Sequence, residues 1–263
     1  MTASELFQAG QLQAAIDAQI QKVKSQPADQ AARLFLFELM LFSGDLDRAR
    51  KQLDVLNYDK PEATAAVDSY RSALASEQAR RDVLAGKARP KFLKDAPAHA
   101  ELRLQSLATL AADHPAEADA LIDQANAVTP VVRSTVNGRP VEGLRDADDL
   151  FGTILEVFAG GNYVWIPLEQ VESISMNPPA HPRDILLRPA QLAVVEGPNA
   201  DVLLPGLYAG SHTHPDESIR LGRVTDWSTG DDRPTRGVGG KLFLAGDQWI
   251  RFVDWADLQV TPN

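Results

Sequence analysis

The sequence predicts an α+β, multidomain fold. An N-terminal α-helical repeat array covers residues 1–128, and a β-rich C-terminal domain covers residues 129–263, as a partly closed antiparallel sheet or small barrel. Three observations predict it. Four residue types recur at a spacing of 34 near the start of the chain. Apolar residues keep helical spacing to about Ala127. From Thr129-Pro130 the period shifts toward two, β-branched residues become frequent, and turn residues recur roughly every ten positions.

The repeat pairs Gly10 with Gly44, Leu12 with Leu46, Ala15 with Ala49 and Pro27 with Pro61. A period of 34 is that of the tetratricopeptide (TPR) unit, a helix–turn–helix. The Gly ends one helix and lets the chain reverse. The Ala lets two helices approach closely. The Pro starts the next helix, where a missing N–H is harmless. Such TPR-like units bury their apolar faces by stacking, and stacked units present a surface suited to a segment of another protein.

The helices follow in order. Thr2 and Glu5 have capping-box spacing and open a helix over Ala3–Ala9. Leu12, Ala15, Ile16 and Ile20 mark a second helix to about Lys24. Asp29 caps a third, whose interior Leu34–Phe42 is apolar nearly all round, as a buried central helix is. A fourth starts near Asp45. A long fifth helix runs from Pro61 to about Leu84, with Ala66, Tyr70, Ala73 and Leu74 on one face. The third repeat copy has decayed. Gly86–Pro97 reads as a basic, solvated connector anchored by Phe92-Leu93, and helices over Ala98–Ala112 and Pro115–Ala127 complete the array.

In the second half, Val131–Val136 closes on Asn137-Gly138, a hairpin turn, and Thr153–Ala159 pairs with Tyr163–Ile166 across Gly160-Gly161-Asn162. Further strands are expected at Ser173–Met176, Asp184–Leu187, Leu192–Val195, Val202–Leu204, Lys241–Leu244, Trp249–Val253 and Leu258–Val260. Gly237-Val238-Gly239-Gly240-Lys241 lacks the spacing of a phosphate loop and reads as a glycine-rich turn. Asp146, Asp148 and Asp149 lack the remaining positions of a calcium loop and read as a turn too.

A net charge of −10 argues against nucleic-acid or anionic-membrane binding, since phosphate contact needs a positive footprint. The absence of cysteine excludes disulfides, thiolate metal sites and thiol nucleophiles, and fits a cytoplasmic protein. The start of the chain does not read as a signal peptide, and no apolar run has the length of a membrane span. No nucleophile elbow or Ser/His/Asp set can be assembled, so the chain is expected not to be an enzyme and to need no cofactor. His212-Thr213-His214, followed by Asp216-Glu217, has the one metal-ligand spacing, though its Gly, Ser and Pro neighbours favour an exposed loop. The four tryptophans all fall in the second half, where core packing is the first expectation and an interface anchor the second.

Several stretches carry a family resemblance: Arg145-Asp146-Ala147-Asp148 leading to Gly152–Val157, then Tyr163-Val164-Trp165-Ile166-Pro167, Pro182-Arg183-Asp184, Pro189-Ala190, Leu204-Pro205 and Tyr208. Leu221-Gly222-Arg223-Val224-Thr225-Asp226-Trp227 and Gly237-Val238-Gly239 complete the set. Together they resemble the ImpE/TagJ family of type VI secretion accessory proteins. Asp149-Leu150-Phe151 departs from the pattern after the acidic turn, where that family commonly carries Arg-Leu.

The resemblance implies a non-enzymatic cytoplasmic adaptor. Its partner would be the small contractile-sheath protein, held through an N-terminal helix in a groove, with the AAA+ unfoldase affected indirectly. Tyr163, Trp165, Arg220, Arg223, Asp226 and Trp227 are the signature residues and candidate contacts, an Arg–Asp pair buried beside a Trp being as readily structural. Two other classes stand beside this one. One is a metal-dependent hydrolase or ligand-binding β domain using His212, His214, Asp216 and Glu217, with the helices as a targeting arm. The other is a TPR scaffold outside secretion.

Overall fold

The computed structural model describes residues 1–228, 230 and 232–261. Seven helices come first: α1 (Ala3–Gln8), α2 (Leu12–Ser25), α3 (Gln30–Phe42), α4 (Leu46–Asp54), α5 (Pro61–Leu84), α6 (Ala98–Ala111) and α7 (Pro115–Val128). Their ends follow the sequence signals. Thr2 and Glu5 make both bonds of the capping box, and the Asp29 and Asp45 carboxylates accept from the Ala32 and Arg48 N–H groups. Gly10 and Gly44 leave α1 and α3 at φ +84° and +71°, the left-handed turn their place in the repeat demands. Ala15 and Ala49 are fully buried, as close helix approach requires. Pro61 and Pro115 occupy first turns, whereas Pro27 stands in the loop ahead of the Asp29 cap, so that proline does not begin a helix.

Residues Leu36 through Phe42 are all buried, so α3 is the central helix its composition predicts. On α5 the buried positions are Val67, Ala73, Leu74, Ser76, Arg80 and Val83, while Ala66 is exposed. The buried face is therefore rotated from the expected one, because α5 packs on strands as well as helices. Among the described residues no helix is long and apolar enough to cross a membrane.

The strands are β1 (Arg133–Val136), β2 (Arg139–Glu142), β3 (Arg145–Asp146), β4 (Ile154–Ala159), β5 (Asn162–Pro167) and β6 (Val171–Met176). After helix α8 (Arg183–Leu186) come β7 (Leu187–Val194) and β8 (Ala200–Pro205). Helix α9 (Glu217–Arg220) then precedes β9 (Thr225–Ser228), β10 (Arg236–Gly239), β11 (Leu242–Ala245), β12 (Gln248–Arg251) and β13 (Asp257–Thr261). Eight form one antiparallel sheet in the order β2-β1-β13-β6-β7-β8-β4-β5, and β9-β10 and β3-β11-β12 form two small sheets. β2 and β5 are edges, so the large sheet does not close into a barrel among the described residues. The connector Gly86–Pro97 covers the β5 edge: the Lys91 N–H donates to Tyr163 O at 3.0 Å, and the Lys91 carbonyl accepts from the Trp165 N–H at 2.9 Å. Its Phe92 ring meets the Trp165 ring edge-on, while Leu93 stays exposed.

Two elements of the β half differ from the sequence expectation. Asp184–Leu187 is not a strand. Pro182 takes helical angles and the Asp184 carboxylate accepts from the Ala180 and His181 N–H groups, which starts the turn α8. Gly237–Gly239 is not a turn but lies in β10, paired with β9. Its glycines answer close approach: a Cβ on Gly237 would stand 2.5 Å from the Tyr208 ring, and one on Gly239 2.1 Å from Val224 O.

Strands β4 and β5 are buried on both faces. Leu155, Val157, Val164 and Ile166 point into a core with Phe243, Phe252 and Trp255. Ile154, Phe158, Tyr163 and Trp165 point the other way, into a core continuous with α1–α6. This explains the unbroken apolar reading of these strands. It also places one polar side chain, Glu156, on the face turned to the helices.

Candidate functional site

The β half touches the helices at the repeat turns. Helix α2 lacks a side-chain cap of its own, because its N-cap residue Gln11 makes none. Glu217 supplies it from α9, accepting from Leu12 N–H at 3.1 Å and Gln13 N–H at 2.7 Å. Helix α1 carries no basic residue in its last turn. Arg223 supplies one, donating to Phe7 O at 2.8 Å and Gln8 O at 3.0 Å. An anion at one helix start and a cation at one helix end are what helix dipoles favour.

The second repeat turn is read similarly. The His212 ring lies against Gly44 so closely that a Cβ there would stand 2.1 Å from it, and Arg81 donates to Gly44 O at 3.0 Å. Each repeat glycine therefore meets the requirement of positive φ and also admits a side chain from the β half. Farther in, Arg183 of α8 pairs with Glu38 of α3 and donates to Tyr70 of α5 at 2.7 Å.

Beneath these contacts lies a buried ionic hub. Arg80 of α5 grips Glu156 of β4 with two bonds, 2.6 and 2.8 Å, and also donates to Leu207 O at 2.9 Å. Lys241 approaches Glu156 at 2.5 Å and Asp146 at 3.4 Å. Tyr163 donates to Glu156 at 2.5 Å, Trp165 to the Tyr163 hydroxyl at 2.7 Å, and Tyr208 to Asp146 at 2.7 Å. Burial disfavours ionised Glu156, but Arg80 and then Lys241 outweigh it and hold its pKa at about 2. At Asp146 burial prevails over Lys241 and raises the pKa to about 6. Burial and then Glu156 push the Tyr163 hydroxyl well above its ordinary value, so it remains a donor.

The signature residues thus have different surroundings. Tyr163 and Trp165 are buried in the hub and its wall. Arg220 lines a small cavity between the halves with Leu46 and His212. Arg223 and Asp226 do not form a buried pair: Arg223 caps α1, and the exposed Asp226 stands 3.8 Å from His214. Trp227 is half-buried, edge-on to Tyr208, and its ring lies 5.9 Å from Trp249, which is 60% exposed.

His212 lies on a 3-10 turn (Ser211–Thr213) and His214 is the residue that ends it, so the two do not share a strand. Burial and then Arg81 lower the His212 pKa. His214 Nδ1 accepts from Asp216 N–H, Asp216 caps α9, and Glu217 caps α2. Among the described residues no group of three or more His, Cys, Asp or Glu is placed to hold a metal. Sequence reading missed the ionic roles of Arg80, Glu156 and Lys241, and it considered Glu217 only as a metal-ligand candidate, not as the cap of α2. The signal for the hub was Glu156 standing alone in the apolar run Ile154–Phe158.

One open trough remains beside these contacts. It runs between α5 and the outer face of β6, β7 and β8, with a volume of about 570 Å³. Ser69, Ser72 and Ala73 form one wall, Gly160-Gly161 one end, and Ala190 and Gln191 the floor. Small side chains let another backbone come close, and the lining carries a single charge, Asp201.

Comparison with known proteins agrees with this architecture. Residues 138–259 match the ImpE protein family, and residues 6–74 match the tetratricopeptide repeat. The chain is 34% identical to the type VI secretion system accessory component TagJ of Pseudomonas aeruginosa, over 100% of this chain and 92% of that protein. The crystal structure of protein VPA1032 from Vibrio parahaemolyticus has the same fold. Its TM-score is 0.89 at 23% identity, covering 99% of this chain and 98% of that one.

Proposed function

The chain belongs to the ImpE/TagJ family, and we propose that it works as a type VI secretion accessory protein, a cytoplasmic, non-enzymatic adaptor. Full-length similarity to an accessory component supports that role. Its proposed partner is the small contractile-sheath protein, whose N-terminal helix would lie in the trough between α5 and the sheet, affecting sheath assembly and, indirectly, disassembly by the AAA+ unfoldase. The observation that carries this is the trough itself, open and nearly uncharged, with small Ser, Ala and Gly residues beside the apolar Phe158, Val202 and Leu203. A helix lays one face into such a groove through side chains about one turn apart.

The division into 1–128 and 129–263 is likewise proposed, as two units built separately in sequence and joined by the hub. The test of function is a pull-down of the small sheath protein with and without its N-terminal helix. Retention only when the helix is present supports the reading, and equal retention defeats it.

A further inference from the structure

A second cleft, of about 230 Å³, opens between α8, β11 and the end of β12. Arg188, Arg223, Lys241 and Arg251 line it, against one acid, Asp184. That is an unusual concentration of cations in a chain of net charge −10.

Arg188 is the key group. It is 2% exposed. Its Nη2 donates to Trp255 O at 3.1 Å and its Nη1 reaches Val253 O at 3.5 Å, both neutral acceptors. Its Nε has no hydrogen-bond partner among the described residues. The other cations leave the cleft positive. Arg223 is bonded to carbonyls, and among the described residues Arg251 has one distant partner, Asp254 at 3.8 Å. The Asp184 carboxylate is taken by the Ala180 and His181 N–H groups. Lys241 alone is neutralised, by the hub. A buried guanidinium with no carboxylate hydrogen-bonded to it is unfavourable, and burial, offset only in part by Asp184 and then Asp254, lowers the Arg188 pKa. A planar N–H donor set of this kind is the usual recogniser of carboxylate and phosphate oxygens.

We propose that this cleft binds a small oxyanion, a phosphate or carboxylate group, with Arg188 at its base and Arg251 at its rim. The volume suits such a group with a few waters: an apolar cavity of about 150 Å³ already holds a benzene-sized guest. This site is separate from the α5 trough and does not depend on the sheath-helix reading.

The test is titration calorimetry of the full chain at low ionic strength, with inorganic phosphate as the probe and acetate as competitor. Phosphate is expected to bind saturably. Arg251→Glu is expected to weaken it by about tenfold or more, since it reverses a charge at the rim. Arg251 is exposed, so this variant is expected to fold, and an unchanged circular dichroism spectrum checks that. Competition by acetate assigns the site to carboxylates as well, and its absence assigns it to phosphate. No saturable binding up to roughly 10 mM phosphate or acetate overturns the proposal, as does equal phosphate binding by Arg251→Glu.

Discussion

The rim and the hub join the same two halves by opposite means. At the rim, Glu217 and Arg223 satisfy backbone groups of α1 and α2 that water would otherwise serve. In the hub, Arg80, Glu156, Lys241 and Asp146 have no water to fall back on. The rim is then a matter of register, worth about 0.3–1 kcal/mol per contact. The hub is a matter of integrity, because a buried charge that loses its partner is left unsolvated.

Glu156→Ala should break that comparison most sharply. It leaves Arg80 and Lys241 buried without their shared carboxylate, for an expected loss of about 3–5 kcal/mol by urea unfolding. A loss below roughly 1 kcal/mol, the scale of a surface pair, would put the hub on the same footing as the rim.

The hub also gives a pH dependence with a definite sign. Asp146 is raised from 3.8 to about 6, so its contribution is complete below pH 3.8 and lost as pH rises through 6. Glu156 is lowered from 4.5 to about 2, so its contribution is complete above pH 4.5 and lost as pH falls toward 2. The two together favour the folded chain most near pH 4–5. Asp146→Asn should remove the decline between pH 4 and 7, on the order of 3 kcal/mol, when denaturation curves are compared across that range. An identical decline in the variant would assign it to other groups.

Gly44→Ala sharpens the rim. It combines an L-residue at φ +71° with displacement of the His212 ring, for an expected loss of about 2 kcal/mol in thermal unfolding. Adding His212→Ala should return the steric part and leave the backbone part. Arg223→Ala is the smallest effect, about 0.5–1 kcal/mol, with the fold retained.

The two regions also differ in how legible they were. Local signals fixed the helix ends: Thr2 with Glu5, Asp29, Asp45, Gly10 and Gly44 act within a few residues of themselves. Asn137-Gly138 did the same for its hairpin, both residues taking positive φ. The hub was illegible because its partners come from distant parts of the chain, Arg80 and Glu156 being 76 residues apart. The Leu221–Trp227 stretch was recognisable, yet its roles could not be read. Arg223 finds its partners in α1, more than 200 residues earlier, and nothing in the local pattern points there. The strand β10 was missed because its glycines answer the Tyr208 ring and the Val224 carbonyl, neither of which is a neighbour in sequence.

The measurement that bears most directly on the function is the affinity of a peptide carrying the small sheath protein's N-terminal helix for three chains: unaltered, Ser69→Trp and Arg223→Ala. Ser69 is an exposed wall residue of the trough, so a Trp there fills the groove without disturbing the core. Ser69→Trp is expected to weaken binding at least about tenfold, while Arg223→Ala is expected to bind as the unaltered chain does. Unchanged binding by Ser69→Trp, with loss in Arg223→Ala, would contradict this and move the partner to the rim.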